Sequence, residues 1–485
     1  MTNFKSYKWS ILLVVILVSF ITNLDSTIVI IGLPKMMEGL NISVTSGLWI
    51  ITGYIIASTV LILPAGKWAD TVGTKRIFML GLIIFAVGTI LCGISNSALT
   101  LNIYRLIQGS GAALAMATAT PTIIKTFPSS QLGLALSINA TSWIIGAIVG
   151  PVAGGALISS FGWRSIFFIT VPFVLLCIIG AFLVMKETKS NINQKNDWIG
   201  ILTFSLGLIL TMIVLSEGQS LGWLSYKTLG LFIIAILLWI VFIITELRVE
   251  NPLFNFNLLS YRNYSIGLVI TLCYCIAYFS LPLLLSIYLQ SVLHLSPTMS
   301  GLLMISLSVP QLVLGPFAGR LVDYIGSIKT LTFGIIFLII GIFFLGNLGG
   351  ELSISAIVTP LILLSIANGF AWPSLAKTVL SAVPKEQAGS ASGMHYTIMN
   401  VGKALSQTLA ILTIEAIIPA DVVSKAIIGI GIGNLNSINI SGNLVNSIDS
   451  SFRFFTIFFV ISLMLSLILL YSKKKNNAEE ILGGV

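Results

Sequence analysis

The sequence predicts an all-α integral membrane protein that crosses a bilayer fourteen times. Three observations carry that expectation. The 485-residue chain is 56% hydrophobic and only 8% charged, with a mean hydropathy of +1.04, whereas a soluble domain carries about 25% charged residues. Its apolar residues gather into runs of the length a bilayer demands, about 20 residues each. The basic residues between those runs favour alternate loops. Strands of a membrane barrel would show about ten residues of strict alternation, and no segment alternates in that way.

In chain order the runs lie near 9–33, 46–65, 76–95, 99–122, 132–158, 165–185, 198–216, 228–246, 265–289, 300–318, 328–346, 353–376, 389–416 and 452–471. The first follows Lys5 and Lys8, lacks a small-residue cleavage site close behind it, and is long enough to span, so it reads as span 1 rather than a removable leader. Positive charge fixes orientation. With the N-terminus in the cytoplasm, the outer loops hold just Lys35, Arg164, Lys227, Lys425 and Arg453 of the 25 basic residues, while Arg105 and Lys403 fall inside spans. An even span count then puts both termini in the cytoplasm of a multi-pass plasma-membrane protein, with a bacterial source expected.

Composition excludes other classes. The net charge of +9 is not clustered on a soluble module, so it reflects topology and not nucleic-acid binding. Cys92, Cys177, Cys273 and Cys275 all sit in apolar runs, which favours buried free thiols over disulfides. Two histidines, His294 and His395, cannot build a histidine-rich metal centre. No metal or cofactor is expected. A membrane-bound transferase would need a polar catalytic constellation, which these short loops do not offer. The GxxxxGK[ST] phosphate loop is missing, so transport would draw on an ion gradient.

The chain repeats itself. Gly66-Lys-Trp-Ala-Asp70-Thr-Val-Gly73 recurs as Gly319-Arg-Leu-Val-Asp323-Tyr-Ile-Gly326, each after an even-numbered span. Such a segment makes a tight turn between antiparallel helices. Glycine permits the close approach and unusual dihedrals, and the aspartate can cap a helix N-terminus. Two six-helix halves follow, residues 1–190 and 263–485, with spans 7 and 8 inserted at 191–262 and an Asn-, Ser- and Gly-rich external loop at 419–450. Transporters built from repeats bind substrate at the repeat interface near the bilayer midplane.

Further motifs give the chain a family likeness. Span 4 reads Leu101-x-x-x-Arg105-x-x-Gln108-Gly109-x-Gly111, and span 5 reads Gly146-x-x-x-Gly150-Pro151-x-x-Gly154-Gly155. Three stretches join them: Leu24-Asp25 to Leu33-Pro34, Phe161-Gly-Trp163-Arg164 to Val171-Pro172, and Glu246-Leu-Arg248 with Asn251-Pro252-Leu253. In these motifs the chain resembles the major facilitator superfamily, and its fourteen-helix drug:proton antiporter branch in particular. Trp68 and Thr71 depart from that family's hairpin motif. The resemblance implies a multidrug efflux antiporter working by alternating access. Its cargo would be amphipathic cationic or zwitterionic drugs such as dyes, quaternary ammonium compounds and fluoroquinolones. The expected partners are those drugs, protons and the lipid bilayer, and the expected state is a monomer. An exporter of a metabolite, siderophore or lipid on the same fold is the alternative. The resemblance also implies a proton-coupling role for Arg105, and for the span 5 glycines and Pro151 a role in pairing the halves and closing one side. Arg105 read by itself fits equally a structural arginine bonded to backbone carbonyls.

Asp25 is the leading functional candidate. It lies sixteen residues after Trp9, roughly 24 Å along a helix rising about 1.5 Å per residue, inside a hydrocarbon core about 30 Å thick. Desolvation favours a neutral carboxyl group, so one site could hold either a proton or a cationic cargo. The competing reading is a carboxylate neutralised by Arg105. Lys403 lies mid-span with Asn400 and Gln407 on nearly the same face. Facing a cavity it would oppose purely cationic cargo and tolerate zwitterions; otherwise it would pair with Glu415 or Asp25. Glu415, at the outer end of span 13, is a candidate proton entry or a solvated helix-end acid. Tyr54, Trp143, Tyr278 and Trp372 are candidate aromatic contacts for flat drugs, and Asn23, Gln108, Asn139 and Asn400 candidate polar ones.

Overall fold

The computed structural model describes the chain apart from residues 1, 188–196, 250–251, 253, 351–352, 385–386, 420–436 and 484–485. Among the described residues the regular structure is entirely helical. Twelve helices there are long and apolar enough to cross a membrane. Two more, Ala98–Thr126 and Ala388–Glu415, are equally long and complete the fourteen as spans 4 and 13. Their lower apolarity has a cause: Arg105, Gln108, Asn400 and Gln407 are carried on them and buried inside the bundle.

Several spans differ from their simple reading as rods. Span 1 runs from Thr2 to Leu40 and passes through Pro34. Proline cannot donate to the carbonyl four residues back and its ring crowds that turn. Span 9 makes good the loss. Ser286 Oγ donates to the Ile30 carbonyl at 3.2 Å and Gln290 Nε2 to the Ile31 carbonyl at 3.0 Å. In hydrocarbon an unsatisfied carbonyl costs several kcal/mol, so these two bonds also tie the halves together. Span 9 itself ends in a π-helical turn, Tyr288–Val292, and span 10 is interrupted by the 3₁₀ turn Ile305–Leu307. The last helix starts at Ser437 and not after 450. Residues 437–450, read from sequence as loop, are therefore helical, while 420–436 lie outside the described residues.

The repeat is visible as structure. Gly73 and Gly326 each end an even span and start the next, with φ of 122° and 92°, and each donates its N–H at 3.1 Å to the residue four back, Ala69 or Val322. The side chains of Asp70, Arg320 and Asp323 lie outside the described part, and no Cβ at Gly66 would meet a neighbour. A second pair of matching contacts lies at the opposite end. Arg164, leading into span 6, donates to the Ser95 carbonyl at 2.8 Å and Asn96 Oδ1 at 3.3 Å; Arg453, at the start of the membrane part of span 14, donates to the Gly346 carbonyl and Asn347 Oδ1, both at 3.0 Å. In each half an arginine seals the loop between the third and fourth helices. Spans 7 and 8, Trp198–Leu221 and Tyr226–Glu246, pack on each other, and span 7 also touches spans 2 and 13, one from each half.

Candidate functional site

A cavity of about 750 Å³ lies between the halves, lined by spans 1, 2, 4 and 5 on one side and 9, 10, 12 and 13 on the other. That volume falls within the range of drug-sized ligand sites. Most of its wall is apolar or aromatic. Tyr274 stacks on Tyr278 at 5.9 Å, and Trp372 sits 5.8 Å from Tyr274 and 6.2 Å from Phe279, measured between ring centroids. Trp143 meets Tyr396 edge-on across the halves at 6.1 Å.

Two asparagines are set into this wall with hydrogen bonds made. Asn23 donates its amide to the Trp143 carbonyl, and Asn368 donates to Gln311 Oε1 while accepting from the Tyr274 hydroxyl at 2.5 Å. Gln311, on span 10, was not singled out by sequence reasoning. A glutamine within a partly apolar run was the available signal. Along span 13, Tyr396, Asn400, Lys403 and Gln407 all reach the cavity, as a shared helical face requires. Lys403 pairs with neither Asp25 nor Glu415. Its Nζ lies over the rings of Phe279 at 4.5 Å and Trp143 at 5.5 Å.

Asp25 and Arg105 form a fully buried ion pair, Nη1 to Oδ2 at 2.7 Å. Arg105 also donates to Gln108 Oε1 at 2.5 Å and, through Nε, to the Ile50 carbonyl at 2.9 Å. Gln108 Nε2 donates to Asp25 Oδ1 and to Thr89 Oγ1, both at 2.8 Å. Thr89, on span 3, was not legible from sequence, since one threonine in an apolar run carries no signal. The Tyr54 ring covers the guanidinium at 4.2 Å.

Tyr54 and Arg105 line the cavity; Asp25, Gln108 and Asn139 do not. Asp25 is sealed behind Arg105 and Gln108, so a cargo in the cavity as it stands cannot touch its carboxylate. Asn139 instead accepts from Ser19 Oγ at 2.8 Å, joining spans 1 and 5. Glu415 is buried at the far end of span 13, away from the cavity.

The span 5 glycines face two ways. Gly146, Gly150 and Gly154 lie against span 1: a Cβ there would come within 2.7 Å of the Phe20 carbonyl oxygen, 2.1 Å of Thr27 Oγ1 and 2.5 Å of Ile28 Cγ1. Gly155 and Pro151 lie against span 10 of the other half. A Cβ on Gly155 would be 2.4 Å from the Pro297 carbonyl oxygen, and one on Gly301 would be 2.2 Å from that of Pro151. Thr298 Oγ1 donates to the Gly155 carbonyl at 3.0 Å. This backbone-to-backbone seam joins the halves beside Pro151, which is itself part of the cavity wall. At the other end, Glu187 Oε1 accepts from the Lys75 N–H at 3.1 Å and so caps span 3 beside Gly73.

Comparison with known proteins agrees with this architecture. The Major Facilitator Superfamily model matches residues 15–407 and 266–482. The chain is 28% identical to the riboflavin transporter RibZ of Clostridioides difficile, over 82% of this chain and 86% of that protein. It is 28% identical to the tetracenomycin C resistance and export protein of Streptomyces glaucescens, over 83% and 75%. It is 27% identical to the multidrug resistance protein Stp of Mycobacterium tuberculosis, over 83% and 74%. Among solved structures, a bacterial homologue of the human lysosomal transporter Spinster, inward-facing and unoccupied, aligns with a TM-score of 0.66 at 15% identity over 95% of this chain and 96% of that one. At that identity the likeness speaks for the fold alone. Helical halves joined at a glycine seam, a cavity between them and a family match along most of the chain lead to one conclusion: this protein belongs to the Major Facilitator Superfamily and is a membrane transporter, not an enzyme.

Proposed function

We propose that this transporter exports amphipathic small molecules, drugs among them, in exchange for protons, by alternating access of the central cavity. One observation carries the reading: an aromatic-walled cavity of about 750 Å³ shares Arg105 with a fully buried ion pair. The basic-residue bias supports termini in the cytoplasm. The closed seam between spans 5 and 10 then faces outward, and cargo enters from the cytoplasm or inner leaflet. The relatives named for multidrug resistance and for tetracenomycin C export favour export of drugs.

Coupling runs through Arg105. A scheme in which proton and cargo contest the same carboxylate oxygen does not suit Asp25, which has no face on the cavity. Protonating Asp25 removes the charge partner of Arg105, whose guanidinium and covering Tyr54 ring form part of the wall that cargo touches. Proton occupancy and cargo affinity are then linked, and linkage is reciprocal. The test is ligand-induced proton release from purified protein in weak buffer, together with proteoliposome transport under an imposed pH gradient. Wild type releases protons on binding a transported dye and loses uphill transport when an ionophore collapses the gradient. Asp25→Asn releases none. Uphill transport that survives the collapsed gradient would overturn the coupling.

The riboflavin transporter RibZ favours a second reading, transport of a flat metabolite. Including riboflavin beside dyes and quinolones in the same transport panel separates the two.

A further inference from the structure

Among the described residues that line the cavity there are two cations, Arg105 and Lys403, and no carboxylate. Arg105 is satisfied by Asp25, Gln108 and the Ile50 carbonyl. Lys403 is not: among the described residues its ammonium makes no hydrogen bond or ion pair and lies over the faces of Phe279 and Trp143. Cation–π attraction restores only part of the hydration an ammonium gives up on burial. Among the described residues the cavity thus holds one lysine amine with no counter-charge, midway along span 13.

A separate feature lies one helical turn further on. Gln407 is 2% exposed and also lines the cavity. Its amide N–H donates to the Phe279 carbonyl at 2.6 Å, which fixes the side chain, and among the described residues its Oε1 has no hydrogen-bond partner. A buried acceptor left unmade is costly, and a ligand donor would satisfy it.

We infer that Lys403 and Gln407 form a subsite for the carboxylate-bearing end of a flat aromatic ligand, so that the preferred cargo is zwitterionic or acidic and not purely cationic. Lys403 pairs with the carboxylate, Gln407 Oε1 accepts from a neighbouring N–H or O–H of the ligand, and the rings of Phe279, Tyr278 and Trp372 take its aromatic face. The inference rests on the export reading above and narrows its substrate class.

The test compares a fluoroquinolone with its carboxamide, which keeps the ring system and the amine but loses the carboxylate. Binding to the purified full-length protein is measured by calorimetry. Wild type binds the acid at least tenfold more tightly than the carboxamide. Lys403→Gln brings that ratio close to one, and Lys403→Arg, which keeps the charge, preserves it. Equal affinities in wild type, or an unchanged ratio in Lys403→Gln that runs as a monodisperse, folded species, would overturn the subsite while leaving drug export intact. If Lys403→Gln does not fold, the wild-type and Lys403→Arg ratios decide. Binding of neither compound, nor of any dye in the transport panel, overturns the export reading and the subsite together.

Discussion

Gly155→Ala tests the seam between the halves. A Cβ at this position falls 2.4 Å from the Pro297 carbonyl oxygen and 2.8 Å from Thr298 Cα, and ordinary contact begins at 3.4 Å. The methyl therefore demands a separation of about 1 Å more between spans 5 and 10. Both opposing atoms are backbone, so no side chain can rotate away. Overpacking of this kind costs about 1–3 kcal/mol, and it is charged to the closed seam alone, because the two helices part in the opposite state. Conformers of a two-state transporter differ by a few kcal/mol, so the equilibrium shifts about 5- to 150-fold toward opening at that end. Spin labels at Ser160 and His294, both exposed near the distal ends of spans 5 and 10, read the distance by double electron–electron resonance. The native cysteines are buried and do not compete for label. Gly230→Ala is the control, since a Cβ there meets nothing within 4 Å. Gly155→Ala should populate a longer distance absent from wild type and from Gly230→Ala. A distribution identical in all three would refute the close-packed seam.

Other consequences concern the ion pair, the hairpin and the proline in span 1. Asp25→Asn strands the Arg105 guanidinium among neutral acceptors, and breaking a buried pair costs about 3–5 kcal/mol. The double substitution Asp25→Asn/Arg105→Gln should be closer to wild type in thermal inactivation than either single change, and additive losses would argue against the pairing. Gly73→Ala adds a Cβ 2.3 Å from Glu187 Oε1 at a φ of 122°, whereas Gly326→Ala meets nothing within 4 Å at a φ of 92°. Both incur backbone strain of about 1–3 kcal/mol, but Gly73→Ala should give the lower folded yield by fluorescence-detected size exclusion. Ser286→Ala should loosen the contact between spans 1 and 9 by about 1–3 kcal/mol through the orphaned Ile30 carbonyl, and Gln290→Ala by less, since Lys35 can still donate to Ile31. Adding Pro34→Ala returns a helical donor to Ile30 and should suppress the Ser286→Ala effect in the same distance measurement.

Much of the architecture was legible because a bilayer imposes it. Length and apolarity located the spans, with ends a few residues short: span 1 read from residue 9 and is helical from Thr2. Charged and polar residues within spans pointed to the interior for the same reason, and Arg105, Asp25 and Gln108 do meet there. What the linear chain did not disclose was which side of a wall each residue faces. Asp25 and Asn23 lie two positions apart on one helix, yet Asn23 lines the cavity and Asp25 is sealed from it. Thr89, Gln311, Ser286 and Gln290 likewise take their meaning from partners on other spans.

By itself the sequence determined the number of crossings, the repeat, the closely packing glycines and the presence of opposite charges inside the membrane. These follow from local length, hydropathy and residue type, which the bilayer reads one helix at a time. The tertiary structure alone decided that Asp25 is locked to Arg105, that Lys403 lies over the rings of Phe279 and Trp143 with no counter-charge among the described residues, and that Gly155 and Gly301 press backbone on backbone across the halves. The reason is geometric. Pairing within hydrocarbon depends on the depth and rotation of neighbouring helices, and those are set by packing between segments far apart in the chain.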